Sequence, residues 1–224
     1  MRTLTHAEAR SFYDKFGSKQ DQQMFYEEAA LSAMVSNAAL EQAQSVVEFG
    51  CGTGRLALQL LQRHLPESAR YLGTDLSSTM VAIATERLRP YTGRASAVVA
   101  AGAPALPVQD ASVDRLISTY VFDLLSEAER EEFLIEATRV LGTDGLLCLA
   151  GITNGNTPVS RAVMAAWQWL FALNPRWVGG CRPTRASEYL SARAWQILYH
   201  ETFVSWGIAS EVVIASPRAM NAQA

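Results

Sequence analysis

The sequence has few of the residues from which disulfide frameworks and metal sites are built. It contains three cysteines, Cys51, Cys148 and Cys181, with no C-x-x-C spacing, and three histidines that lie far apart in the chain. An odd number of scattered cysteines favours neither a disulfide scaffold nor a zinc site. We therefore expect no bound metal, and this cysteine usage is typical of a protein of the reducing cytoplasm.

Charge and long apolar runs are also scarce. Charged residues make up 18% of the 224 residues, the net charge is −3, and lysines and arginines do not cluster. The sequence therefore lacks the electrostatic footprint of a nucleic-acid-binding protein. Its most apolar stretch, residues 163–173, is shorter than the ~20 residues that cross a bilayer. These absences predict no nucleic-acid partner and no stable membrane insertion, and they favour a small-molecule or lipid-like substrate.

Apolar side chains at regular spacing are abundant. Hydrophobic residues make up 49% of the chain, which is enough for a packed core, and 224 residues favour a single domain. From residue 45 to residue 152, strand-like segments alternate with helical ones, separated by glycines or capping residues. Because parallel strands need crossover connections, this alternation predicts an α/β fold with a mostly parallel sheet and helices on both faces.

The segments outside this alternating half complete the predicted domain, residues 1–224. Residues 1–44 form an N-terminal helical cap, in which Asp21 is the predicted N-cap of a helix that ends near residue 43. Residues 153–194 contain a helical stretch and a loop rich in glycine and proline, which predicts a lid or an insertion. Residues 195–224 contain two strands and a polar tail, and the short connection between the strands predicts an antiparallel pair.

The most informative motif lies between the first strand and the first helix of the alternating half. Residues 48–54 read E-F-G-C-G-T-G, where backbone N–H groups and the positive end of a helix converge. Asp75 follows the second strand, 21 residues beyond Gly54, and its carboxylate can accept hydrogen bonds from both hydroxyls of a ribose. Arg55 stands where a nicotinamide fingerprint has its last glycine. The pattern therefore favours adenosine joined to an amino acid over a dinucleotide.

With these residues the sequence resembles the class I S-adenosylmethionine-dependent methyltransferases, in particular small-molecule and lipid-modifying members of the ubiquinone and menaquinone biosynthesis type. Residues 73–80, G-T-D-L-S-S-T-M, resemble the family's segment after the second strand, and residues 113–118, V-D-R-L-I-S, its approach to the fourth. The resemblance implies a Rossmann-like, seven-stranded sheet in the order 3-2-1-4-5-7-6 with strand seven antiparallel. It also implies S-adenosyl-L-methionine as cofactor and S-adenosyl-L-homocysteine as product, and makes 45–152 the cofactor-binding half.

The resemblance also suggests which residues contact the cofactor. These belong to the glycine loop, to the ends of the second, third and fourth strands, and to the N-terminal cap. They are Glu48, Gly50, Cys51, Gly52, Gly54, Asp75, Leu76, Met80, Gly102, Ala103, Thr119, Tyr13 and Tyr26. We interpret Cys51 as a small residue that fills a crowded turn rather than as a reactive thiol. Tyr13 and Tyr26 either close over the cofactor, as N-terminal helices do in many relatives, or pack on the sheet edge.

The segment after the third strand departs from the family pattern. Many relatives have an acid there that bonds the adenine amino group, whereas this sequence has glycine, Gly102. We expect adenine to be recognised by the Ala103 amide, by apolar packing from Leu76 and Met80, or by another side chain.

Four residues are candidates for the acceptor side. Tyr120 and Asp123 follow the fourth strand, whose carboxyl end borders the ligand crevice, so we assign both to the reaction centre, with Asp123 as a base or an orienting group. The alternative for Asp123 is a surface acid. Trp167 lies in a helix that is apolar nearly all round, which suits a substrate pocket, a dimer partner, a membrane surface or ordinary packing. Arg182 either pairs with an anionic acceptor group or forms a structural salt bridge.

The predicted function is methyl transfer to a small-molecule or lipid-like acceptor. The protein would align the acceptor nucleophile with the sulfonium methyl group and exclude water. A non-catalytic adenosyl-binding module with a regulatory or assembly role is the alternative from another class, and a nucleotide-dependent dehydrogenase is a third. The sequence leaves a homodimer open.

Overall fold

The fold is a seven-stranded mixed sheet, seen in a computed structural model that describes residues 3–100 and 104–218. The strand order is β3-β2-β1-β4-β5-β7-β6, in which β1 to β5 run parallel and β7 is antiparallel to β5 and β6. The predicted order and the antiparallel seventh strand are therefore confirmed. The strands are β1 (Ser45–Phe49), β2 (Arg70–Asp75), β3 (Ala95–Val99), β4 (Val113–Thr119), β5 (Leu141–Ile152), β6 (Trp195–Ser205) and β7 (Ile208–Pro217).

Six α-helices are present among the described residues. They are α1 (His6–Phe16), α2 (Met24–Asn37), α3 (Arg55–Arg63), α4 (Ser78–Arg87), α5 (Glu127–Val140) and α6 (Pro158–Leu173). Two of them begin at serine caps, of the kind that the S-x-x-E pattern at residues 126–129 and the serine at 77 predict: Ser77 accepts a hydrogen bond at the start of α4, and Ser126 forms a capping box with Glu129 at the start of α5. Within the described ranges, every helix is too short or too polar to span a lipid bilayer.

The core has one layer on each face of the sheet. Consecutive residues of β4 point to opposite faces. Ile117 belongs to the cluster that contains Met34 of α2, and Leu116 belongs to the cluster that contains Phe133 of α5. The central strands are therefore buried on both sides, as parallel sheets require. A third cluster lies at the carboxyl ends of β4 and β5, beneath α6, and contains Tyr26, Tyr120, Ile152, Met164 and Cys181.

The N-terminal cap differs from the sequence prediction. The predicted helix from Asp21 to residue 43 is wrong, because a 3₁₀ segment over Gly17–Gln23 precedes α2. The helix ends at Asn37, and Ala39 then adopts a left-handed conformation with φ 45°. Asp21 is not an N-cap. Its carboxylate accepts hydrogen bonds from Thr53 Oγ1 at 2.6 Å and Arg87 Nη2 at 2.7 Å, and so ties the cap to the glycine loop.

The fifth strand also begins earlier than expected. The sequence suggests a turn at residues 142–145 followed by a strand, whereas β5 starts at Leu141, which pairs with Val113 of β4. The register shifts before the next pair, so the extra residues form an irregularity inside the strand. Gly145 is part of it, and a Cβ there would lie only 2.9 Å from the Gly142 carbonyl oxygen.

A buried arginine fastens the cap to the sheet. Arg115 of β4 is 5% exposed and donates from Nε to the Ala38 carbonyl at 2.5 Å and from Nη2 to the Ala39 carbonyl at 2.8 Å. These carbonyls lie just beyond the end of α2, and the Ala39 carbonyl also accepts the Gln42 N–H at 3.2 Å. The guanidinium therefore donates hydrogen bonds to the residues that follow α2 and holds them against β4.

Replacing this guanidinium should lower the free energy of unfolding. We expect Arg115→Met to cost about 1–3 kcal/mol, because the buried Ala38 carbonyl loses its donor, whereas the Ala39 carbonyl keeps the Gln42 N–H. Urea unfolding measures the change. Arg63→Met, on the exposed side of α3, is the control and should change stability by less than about 0.5 kcal/mol. Equal stability of the two variants would contradict this role of Arg115.

Candidate functional site

A cleft opens at the carboxyl ends of β1, β2 and β4, where strand order reverses around β1, as in other open parallel sheets. It encloses about 990 Å³, part of it open to solvent. The predicted site residues that line it are Tyr13, Gly50, Gly52, Asp75, Leu76, Met80, Thr119 and Tyr120. Sequence reasoning missed other lining residues, among them Leu4, His6, Ala9, Phe49, Val121 and Leu124. Most of these are apolar, and apart from Phe49, the second residue of the E-F-G-C-G-T-G motif, none lies in a motif.

The three glycines of the loop after β1 have different tasks. Gly50 has φ 79°, and a Cβ there would lie 2.2 Å from Cγ2 of Val121. Gly54 has φ 72° and precedes α3, and a Cβ there would lie 3.0 Å from Cβ of Ala84. Gly52 has φ 51° and lines the cleft, yet a Cβ would meet nothing within 4 Å. The outer glycines therefore serve packing, and the central one leaves space beside a ligand.

Asp75 is held against this loop by backbone donors. The Gly52 N–H donates to Oδ2 at 2.9 Å, and the Ser77 N–H donates to Oδ1 at 2.8 Å. Burial raises the pKa of the Asp75 carboxyl, and these N–H groups oppose the rise. The carboxylate thus joins the end of β2 to the loop after β1 while it still lines the cleft.

Glu48, in β1, and Cys51 and Gly54, in the loop after it, are outside the set of residues that line the cleft. Glu48 is 1% exposed and accepts a hydrogen bond from Tyr71 Oη at 2.5 Å, and burial raises the pKa of its carboxyl to about 8. Burial also raises the pKa of the Cys51 thiol well above its usual value, which disfavours a reactive thiolate. A Cβ on Gly73 would lie 2.7 Å from Cys51 Sγ, so this thiol fills a crowded position.

The predicted adenine contacts are only partly visible. Gly102 and Ala103 lie outside the described residues. Leu76 and Met80 both line the cleft, as does Ala100 at the end of β3. The placement of Leu76 and Met80 is therefore consistent with apolar packing around adenine, which stays a prediction.

The N-terminal cap is fixed to the walls of the cleft. Asp14 accepts hydrogen bonds from Ser77 Oγ at 2.5 Å and from the Thr79 N–H at 3.3 Å, at the start of α4. Tyr13 lines the cleft, and its hydroxyl donates to the Gly179 carbonyl at 3.1 Å. Tyr26 packs deeper, with its ring edge against Tyr120 at 5.7 Å between centroids. Tyr13 is therefore placed to contact a ligand, whereas Tyr26 supports Tyr120.

Tyr120 stands between the cleft and the third core cluster. It has φ 55°, which is unusual for a residue with a side chain, and such strain is often found at functional sites. Its hydroxyl donates to Ser210 Oγ at 2.9 Å, and its ring lines the cleft. The turn after β4 thus presents this side chain to any ligand in the cleft.

Asp123 lies behind Tyr120 and is 1% exposed, so it is not a surface acid. The Ile152 N–H donates to its Oδ2 at 3.3 Å. Burial raises the pKa of the Asp123 carboxyl to about 6, against the Ile152 N–H and the positive charges of Arg130 and Arg182. A carboxyl of this kind is still ionised at neutral pH and can exchange a proton near it.

The predicted lid, residues 153–194, packs against this region. Trp167 Nε1 donates to the Cys181 carbonyl at 3.0 Å, which fixes the lid loop to α6. Arg182 donates from Nη2 to the Leu125 carbonyl at 2.5 Å, and its guanidinium lies over the Phe171 ring. No salt bridge joins Arg182 to an acid among the described residues, and its buried Nη1 has no hydrogen-bond partner there.

Glu27 is a buried acid that sequence reasoning missed. It is 5% exposed and forms an ion pair with Arg55 at 3.1 Å, which links α2 to the glycine loop. Burial raises the pKa of the Glu27 carboxyl to about 7, against the charge of Arg55. No local pattern identifies this pair, because its two residues are 28 positions apart. Within the described ranges, no group of three or more potential ligands could hold a metal ion.

The raised pKa of Asp123 predicts how stability depends on pH. The folded state binds this proton more tightly than the unfolded state does, so stability is lost as pH rises from about 4 through the folded pKa of about 6. Asp123→Asn does not ionise, and should therefore gain about 2–3 kcal/mol relative to the wild type between these limits. Urea unfolding at both pH values tests this, with the exposed Asp144→Asn as control. A pH-independent difference would contradict the assignment.

Comparisons with known proteins agree with the geometry. Residues 46–145 match the family model of a methyltransferase domain. An uncharacterised methyltransferase of Geobacillus kaustophilus is 30% identical over 138 residues, 62% of this chain and 60% of that protein. A malonyl-[acyl-carrier protein] O-methyltransferase of Geobacter sulfurreducens is 34% identical over 143 residues, 64% of this chain and 49% of that protein. The matches therefore span about half to three fifths of the length of these curated relatives.

A solved structure shows the same fold over nearly the whole chain. The 4+2 cyclase SpnF superposes with a TM-score of 0.73 over 96% of this chain and 98% of its own, at 16% identity. At that identity the likeness concerns the fold alone, and a fold hosts more than one chemistry. The matched methyltransferase region, however, coincides with the predicted cofactor-binding half, and its strand order is the one that the motifs imply. The family match over residues 46–145 and the shared fold therefore support the resemblance to the class I S-adenosylmethionine-dependent methyltransferases.

Proposed function

We propose that the protein transfers a methyl group from S-adenosyl-L-methionine to a small-molecule or lipid-like acceptor, with an acyl compound as the favoured class. The observation that supports this most directly is the meeting of Gly52 and Asp75 in one cleft. The space beside Gly52 admits a ligand close to the backbone, and the Asp75 carboxylate faces the same space.

The residues of the cleft suit an adenosyl ligand. Asp75 would accept hydrogen bonds from the ribose hydroxyls, and the loop around Gly52 would hold the amino-acid part. Leu76 and Met80 would pack against adenine, with Thr119 at the end of β4 beside them. When bound, S-adenosyl-L-methionine supplies an electrophilic methyl group on a sulfonium, so the protein has to orient the acceptor and exclude water.

We assign the acceptor side to the region of Tyr120, which lines the cleft, and of Asp123 and Arg182, which are outside the set of residues that line it. Asp123 is ionised at neutral pH and could take a proton from an acceptor hydroxyl or amine. The Nη1 group of Arg182 is buried without a partner among the described residues, so an anionic group such as a carboxylate would satisfy it. The relative named as a malonyl-[acyl-carrier protein] O-methyltransferase, which modifies an acyl compound by that name, supports an acyl acceptor here.

Loss of the Asp75 carboxylate should weaken cofactor binding about ten- to a hundredfold. A charge-assisted hydrogen-bond partner contributes roughly 1.5–3 kcal/mol. Isothermal titration calorimetry of Asp75→Ala with S-adenosyl-L-methionine measures this, and Asp144→Ala is the control. NAD is titrated in parallel and should bind more weakly than S-adenosyl-L-methionine. Unchanged affinity in a folded Asp75→Ala protein would show that the ribose assignment is wrong.

Single-turnover rates test the acceptor side at saturating cofactor, with malonyl thioesters of pantetheine and of acyl carrier protein as acceptors. We expect Asp123→Asn and Tyr120→Phe each to slow methyl transfer more than about threefold through lost positioning, because a malonyl carboxylate is already ionised at neutral pH and needs no base. Tyr91→Phe, remote from the cleft, is the control. A drop below about threefold in both variants would remove them from the chemistry, and cofactor binding without turnover would favour the non-catalytic module.

A further inference from the structure

Helix α6 exposes an apolar stripe that the catalytic proposal does not use. Its buried face contains Ser160, Met164 and Phe171. The opposite face carries residues at alternating intervals of three and four, which is the spacing of one continuous helix face. They are Val159, Ala162, Ala166, Trp169 and Leu173, all of them exposed.

The spacing of the stripe is that of a helix which packs against another helix. Apolar residues at intervals of three and four form the contact seam of paired helices, and the small residues Ala162 and Ala166 at its centre permit close approach. Val159 is 70%, Trp169 63% and Leu173 54% exposed. An exposed seam about 21 Å long on this helix therefore indicates a partner helix from outside the described fold.

The charge around the stripe specifies the partner. Residues 157–183 contain three arginines, Arg161, Arg176 and Arg182, and no acidic residue or lysine, so the segment is positive in a chain whose net charge is −3. Arg161 and Arg176 are exposed, and Arg176 also forms an ion pair with Glu8 at 3.2 Å, so Arg161 provides the main positive charge beside the stripe. A second copy of this chain in a two-fold contact would place the same positively charged segment on both sides of the interface. The positive charge of this segment would attract an acidic partner, whereas it would repel the same segment of a second copy.

The stripe ends beside the cleft. Leu4 lines both the cleft and a groove formed by Phe171 to Arg176 at the carboxyl end of α6. Trp177, 64% exposed, follows directly, and Gly180 of the same loop lines the cleft again. A protein seated on the stripe would therefore lie next to the site where the proposed acceptor is modified.

We propose that the α6 stripe, with Arg161 and Arg176, docks an acidic helix of a protein that carries the acceptor as a covalently attached acyl group. The inference rests on the proposed function for the nature of the acceptor. Tryptophan and arginine are the residues that most often dominate such interfaces. Delivery of the acyl group by a carrier protein is also compatible with a cleft whose edge adjoins the α6 stripe.

Binding of malonyl-loaded acyl carrier protein, followed by fluorescence anisotropy, tests the docking surface. We expect Ala166→Glu and Arg161→Glu each to weaken binding about tenfold or more. The matched controls are Ile135→Glu, at a 71% exposed apolar position of α5, and Arg193→Glu, at an exposed arginine outside the segment. Both controls should stay within about threefold. Equal binding of stripe variants and wild type would overturn the proposal, provided that thermal melts show all variants folded.

Kinetics separate docking from chemistry. In the stripe variants, kcat/KM for the carrier-borne malonyl group should fall by the same factor as binding, whereas kcat/KM for malonyl-pantetheine should be unchanged. If the wild type turns over neither acceptor, the proposed acceptor fails, and the stripe-dependent binding still decides the docking question. Stripe-dependent binding to phosphatidylglycerol vesicles without carrier binding would overturn the proposal in favour of a lipid surface, and stripe-dependent dimers in sedimentation would overturn it in favour of a second copy.

Discussion

The carboxylate of Asp75 is the contact on which the organisation of the cleft depends. It accepts the Gly52 N–H on one side and the Ser77 N–H on the other, so the loops after β1 and β2 share one acceptor. The surrounding ties extend this junction: Asp21 bonds the residue after Gly52, and Asp14 bonds the first turn of α4. Without the carboxylate, the Gly52 and Ser77 N–H groups would need other hydrogen-bond acceptors. The N-terminal cap would then be bound to two loops that are no longer held together.

The cleft is surrounded by acids that burial makes hard to ionise. Their pKa values rise to about 8 for Glu48, about 7 for Glu27 and about 6 for Asp123. Each such group destabilises the fold near neutral pH, and an apolar residue would pack at lower cost. Glu48 and Glu27 are compensated by Tyr71 and Arg55, whereas Asp123 is served mainly by one backbone N–H. The least compensated of the three acids is thus the one that the proposed function assigns to the acceptor side.

The sequence predicts most of the fold because its signals are local. Alternating strands and helices, the Ser126 capping box and the glycine loop with Asp75 each depend on residues that are near in sequence or in a fixed register. Contacts between distant segments leave no such trace. The roles of Asp21, the Glu27–Arg55 pair and the grip of Arg115 on the end of α2 all join positions that only the folded chain brings together. The same reason hides the apolar lining of the cleft, whose residues look like ordinary core.

The close approach of Gly50 to Val121 sets one dimension of the cleft. A single methyl group at position 50 would lie 2.2 Å from the valine side chain, so the loops after β1 and β4 are separated by the missing Cβ. Replacing the glycine with any residue that has a Cβ would force these loops apart, and the positive φ at this position also disfavours other residues. The valine side of the contact has no such restriction. Substitutions at position 121 can therefore change the size of the ligand that fits between these loops, whereas substitutions at position 50 cannot.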